Sequence, residues 1–95
     1  MMSSDPNPSG VAKVAALAQG LLMRRASRLA PGFSLGERLD AASIADAADL
    51  DGLIDGGRDA ARDRLGIGTL DETDRVLSAL GRARKELSQA STTET

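Results

Sequence analysis

From Thr69 to Leu87 the chain carries one continuous helical pattern, and this stretch limits what the rest can fold into. Thr69 and Glu72 have capping-box spacing, in which the Thr hydroxyl accepts a backbone N–H and the Glu reaches back to the Thr69 N–H. Apolar residues recur at helical intervals, at Leu70, Val76, Leu77, Leu80, Ala83 and Leu87. Asp71, Asp74, Arg75, Arg82, Lys85 and Glu86 sit off that face. The pattern predicts a helix running to about Gln89 whose apolar stripe needs a covering surface.

Within that helix Leu70, Thr73, Leu77, Leu80, Arg84 and Leu87 follow the alternating three–four spacing of a coiled-coil seam. One face of an intramolecular bundle gives nearly the same pattern over so few turns. Leu70, Leu77, Leu80, Arg84 and Leu87 are therefore candidate contacts to a partner or a second copy, and equally candidate core. Thr73 and Arg84 weaken the seam in either case.

The remaining segments read as shorter helices. Met1–Gly10 holds two Pro and three Ser with little to bury and is expected to be a disordered tail. A first helix is expected over about Val11–Leu29, with Val11, Val14, Leu17, Ala18, Leu21 and Leu22 on one broad face, ended by Pro31-Gly32. Ser34 and Glu37 repeat the capping-box spacing ahead of Leu35, Leu39 and Ala42. Ser43 restarts or continues that helix, and Ile44, Ala47, Leu50 and Ile54 keep its phase through Ala61 and Leu65. The pair Gly56-Gly57 costs a helix on the order of 2 kcal/mol relative to Ala, so a break is expected there. Gly66-Ile67-Gly68 reads as a turn with Ile67 pinned in the core, and 90–95 as a second disordered tail.

The fold expectation is an all-α domain over residues 11–89, a small bundle of three to five helices. Its core must be made of Leu, Ile, Val and Ala, because the 95 residues contain one Phe and no Tyr or Trp. A core of such side chains is thin, and self-association or a partner is a reasonable supplement. Leu17, Leu21, Leu39, Ile44, Leu50, Ile54, Leu65, Ile67, Leu77 and Leu80 are the expected buried set.

With no Cys and no His, thiolate metal sites, disulfides and imidazole acid–base catalysis are excluded. Ser and Thr have no base, and Lys13 and Lys85 lie in exposed helical contexts. The expectation is a non-enzymatic protein with no cofactor and no metal. The first ten residues carry no Lys or Arg, and the apolar run 11–23 is broken by Lys13, Gln19 and Gly20, so neither a signal peptide nor a bilayer span is expected. The protein is placed in the cytoplasm, and Arg-over-Lys usage with abundant Ala and Gly fits a bacterial source.

Two charged clusters stand out. Asp46, Asp49, Asp51 and Asp55, with Asp40, occupy a stretch without Lys or Arg; they could meet a basic partner or form a solvated helix face. Within them Asp49 to Ile54 echoes an EF-hand loop, but Ala47 and Arg58 occupy ligand positions. The span from Ser43 to Asp51 also echoes a helix–turn–helix, followed by a segment too acidic for a phosphate wall. Arg24, Arg25 and Arg28 could contact an anion or nucleic acid, or simply complement the end of the first helix. Ser34 sits in a faintly carrier-protein-like context that a helix cap explains as well. The functional expectation is a protein–protein interaction module, a small regulator or adaptor presenting the 69–87 face to a partner or to itself. The alternative is a nucleic-acid-associated regulator using Arg24, Arg25 and Arg28.

Overall fold

The computed structural model describes residues 10–24, 29 and 32–93, with side chains described through Gln89. Five helices follow one another: α1 Gly10–Arg24, α2 Leu35–Ala41, α3 Ala47–Asp55, α4 Arg58–Leu65 and α5 Leu70–Thr93. There is no strand among the described residues, and the all-α bundle expected from the pattern is the fold.

Helix α5 is the spine. Helices α1, α3 and α4 pack on it, α1 also meets α2 and α3, and α4 meets α2 and α3. Its start is the expected cap with one change of partner. The Thr69 hydroxyl accepts the Glu72 N–H at 3.2 Å, but the Glu72 carboxylate accepts a hydrogen bond from the Thr69 hydroxyl, at 3.3 Å, rather than from the backbone N–H. At the other end α5 continues past the expected Gln89 to Thr93, across what was expected to be a tail. Helix α1 opens one residue earlier than expected, at Gly10, and is described as far as Arg24; Leu29, its expected last residue, lies in a bend. The rest of the expected N-terminal tail lies outside the described residues.

The glycine pair breaks the central helix, as expected. Gly56 closes α3 and Gly57, at φ 92°, opens α4. Ser43 is a correction: rather than restarting or continuing a helix, it ends α2 at φ 64°. A new cap at Asp46, whose side chain accepts the Asp49 N–H at 2.9 Å, then starts α3.

The buried core holds Leu, Ile, Val and Ala, with Phe33 only half-buried against it. Of the expected set, Leu39, Ile44, Leu50, Leu65, Ile67 and Leu80 are buried, and Leu21, Ile54 and Leu77 are half-buried. Leu17 is the exception, at 37% exposed. Helix α1 buries Val11, Val14, Ala15, Ala18 and Leu22, a face rotated away from the Leu17–Leu21 row. That rotation leaves the row on the flank of the helix.

Gln19, which reads as an interruption of an apolar run, ties α1 to the start of α2. Its side-chain amide donates to the Phe33 carbonyl at 3.1 Å and its oxygen accepts the Leu35 N–H at 2.9 Å. One half-buried side chain thus satisfies two backbone groups that the tight entry into α2 would leave without partners.

Candidate functional site

The seam along α5 is turned by about one residue from the expected one. The residues facing the core are Thr73, Val76, Leu80 and Ala83, again at alternating three–four spacing, with Ala79 buried beside them. Both seams share Thr73 and Leu80; of the apolar positions read from the sequence, the bundle buries Val76 and Ala83, and the coiled-coil seam through Leu77 and Arg84 is not the one it uses. Leu80 is 0% exposed and belongs to the core, not to a surface offered to a partner. Leu70, Leu77 and Leu87 are half-buried on the margins of the stripe. Arg84 is ion-paired with Asp51 of α3. Thr73, expected to weaken the seam, is fully buried at no polar cost, because its hydroxyl donates to the Thr69 carbonyl at 2.8 Å.

The acidic cluster is drawn largely into the start of α3. Asp46 caps the Asp49 N–H, and the Asp49 carboxylate accepts the N–H of Ala45, the residue before the cap, at 3.0 Å. Asp51 meets Arg84 across to α5. Asp55 stays exposed at the edge of a shallow depression shared with Gly81, Lys85 and Ser88. The EF-hand echo is overturned by the backbone, since residues 49–54 are helical rather than looped. No group of three or more Asp and Glu is gathered for a metal ion among the described residues. Arg24 is exposed at the last position of α1, while Arg25 and Arg28 lie outside the described residues.

A groove that the sequence reading did not assemble runs between the end of α1 and the first half of α5. It encloses about 430 Å³ and is lined by Leu21, Leu22 and Ala79 with Asp71, Asp74, Arg75, Ser78 and Arg82. Leu21 is the half-buried member of the flanking row whose other member is exposed Leu17, and Met23 nearby in sequence is 72% exposed. Apolar area and charge of both signs thus meet in one concavity. Asp74 is bonded to Arg58 of α4 at 2.9 Å, and Arg75 stands 3.9 Å from Asp71 one turn back. The charged residues were legible as residues off the apolar stripe. The apolar wall was not, because it depends on how α1 is rotated and seated against α5.

Among the described residues, no helix is long and apolar enough to cross a membrane. Compared with known protein families, curated proteins and solved structures, the chain matches none of them.

Proposed function

We propose that this protein is a non-enzymatic protein-interaction module, a small cytoplasmic regulator or adaptor of bacterial type, that docks a partner through the α1–α5 groove. The observation that carries the reading is the groove itself, where half-buried Leu21, with the buried Leu22 and Ala79 behind it in the core, stands among Asp71, Asp74, Arg75 and Arg82. An apolar centre within a polar, charged rim is the usual anatomy of a docking surface. Exposed Leu17, one helical turn before Leu21, extends the apolar edge of the groove along α1. The rim charges set specificity, because a charge reversed there meets a like charge on the partner and costs affinity. The docking face differs from the α5 stripe expected from the pattern, since Leu80 is spent on the core.

The test is a tagged capture from host lysate at low and high salt, with wild type beside Leu21→Lys and Arg82→Glu, both checked for helical content. A protein retained by wild type at high salt and lost by both variants supports the groove. Equal retention by all three overturns it. Nucleic acid that is captured at low salt and washes off at high salt moves the reading to Arg24 and its basic neighbours in sequence.

A further inference from the structure

The outward face of α5 has a charge order that is complementary to itself. Ser78 lies at the middle of this face, on the opposite side of the helix from the buried Val76, Leu80 and Ala83. Four residues before it stands Asp74 and four residues after it Arg82; seven before stands Asp71 and seven after Lys85. Three before is Arg75, and three after is Gly81, where an added Cβ would meet nothing within 4 Å. Two such helices laid antiparallel about a two-fold axis at Ser78 set every acid opposite a base. The same arrangement sets each Arg75 over the other helix's glycine. Parallel stacking in register would instead set like charges together.

We infer that the occupant of the groove is a second copy of this chain, its α5 laid antiparallel on α5 with the two-fold axis at Ser78. This rests on the groove reading above and names the partner. Asp71, Asp74, Ser78 and Arg82 are themselves groove-lining residues, so the copy that pairs through them also lies beside half-buried Leu21. Self-complementarity of one patch is what a two-fold dimer requires. Gly81 weakens α5 by about 1 kcal/mol relative to Ala; it leaves room for the second copy's Arg75. The acidic first half and basic second half of the face give the pairing its antiparallel sense. The apolar contribution comes from α1, through Leu21 with Leu17 beside it.

The experiment is sedimentation of the full chain over a range of concentrations at low and moderate salt, with a charge-swap set and a cysteine cross-link. Wild type is expected to dimerise reversibly, more weakly as salt rises. Lys85→Glu alone and Asp71→Lys alone are each expected to weaken the dimer about tenfold or more by setting like charges together. The double variant Asp71→Lys/Lys85→Glu is expected to recover most of that loss, because it restores both pairs in reversed sense. Both positions are exposed, so a folding defect is not expected, and circular dichroism checks it.

The chain has no native cysteine, so Ser78→Cys introduces a lone thiol at the axis. It is expected to form a disulfide-linked dimer under mild oxidation much faster than Glu86→Cys, on the same helix but off the axis. A monomer at every concentration, or no recovery in the double variant, or equal cross-linking at 78 and 86, overturns the self-docking. If self-docking is overturned while Leu21→Lys and Arg82→Glu still lose a captured protein, the groove reading stands with a different occupant. If capture is also unchanged in those variants, both fail.

Discussion

At the end of α2 the chain turns through Ser43 at φ 64°, and at the end of α4 through Gly66 at φ 71°. The two ends are otherwise closely alike. After α2, the Ile44 N–H bonds the Leu39 carbonyl and the Ser43 N–H bonds the Asp40 carbonyl, both at 3.0 Å, the two bonds of a Schellman end. After α4, the Ile67 N–H reaches the Arg62 carbonyl at 3.1 Å and the Gly66 N–H the same oxygen at 2.9 Å. In each case the next residue is an isoleucine driven into the core, Ile44 or Ile67. Each end also receives an arginine from the other helix: Arg64 of α4 donates to the Ala42 carbonyl at 3.0 Å, and Arg38 of α2 donates to the Leu65 and Gly66 carbonyls at 3.5 and 3.4 Å. The comparison teaches that the turn is specified by the buried isoleucine and the wide backbone bond, and that glycine makes it less strained without being required.

The strongest way to break the likeness is to remove the anchor that both ends share. Ile44→Ala and Ile67→Ala are each expected to lower stability by about 2–4 kcal/mol, through lost burial and the cavity left behind. Urea unfolding followed by circular dichroism measures it. The more deeply buried Ile44, 4% exposed against 7% for Ile67, is expected to lose at least as much. A loss at Ile44 well below that at Ile67 would mean that the Ser43 turn holds without its anchor.

The same pair of ends shows what was legible in the sequence and what was not. Gly66-Ile67-Gly68 could be read as a turn because glycine advertises a positive φ. Ser43 could not, because serine at that φ is uncommon and the pattern Ile44, Ala47, Leu50 and Ile54 kept helical phase through it. Capping was legible wherever a short polar side chain preceded a carboxylate by three residues, at Ser34, at Thr69 and, unnoticed, at Asp46 with Asp49. The helix count, the glycine break and the composition of the core followed from local pattern. The rotation of α5 did not. Stripes through Leu77 and Arg84 or through Val76 and Ala83 share Thr73 and Leu80, and only the seating of α1, α3 and α4 selects between them. The groove was hidden for the same reason. Its charges lie on one helix and were visible, while Leu21 and Leu22 come from another helix far away in sequence.

Exchanging the turn residues sharpens the comparison with effects of opposite sign. Ser43→Gly relieves a side chain from the left-handed region, offset in part by the greater freedom of an unfolded glycine, and is expected to raise stability by about 0.5–1 kcal/mol. Gly66→Ala is expected to lower it by about 1 kcal/mol. The new Cβ would stand 3.0 Å from Arg38 Nη1, the flexible tip of a side chain that can shift, so backbone conformation rather than crowding sets the cost. Thermal and denaturant unfolding of the two variants checks both signs. If Ser43→Gly is neutral or destabilising, the serine contributes something to that end beyond its tolerance of the turn.

The smallest difference lies in the exchanged arginines. Arg64 makes one part-buried bond of ordinary length, to the Ala42 carbonyl, at the end where the turn residue is strained. Arg38 makes two long bonds at the end where glycine relieves the strain, and its guanidinium also lies over the Phe33 ring, 5.4 Å from the centroid. A carbonyl that loses a part-buried donor must find water or remain without a partner. Arg64→Met is therefore expected to lower stability by about 1 kcal/mol. Arg38→Met is expected to cost about half that, since its bonds are at the limit of hydrogen-bond length and Met keeps a contact with the ring. Chemical denaturation of the two single variants orders them. The reverse order would mean that the Phe33 stacking, not carbonyl capping, is the main reason this corner carries an arginine on each helix. The double variant decides whether the caps act independently: additive losses mean two separate ends, and a smaller combined loss means that α2 and α4 hold each other's ends as one unit.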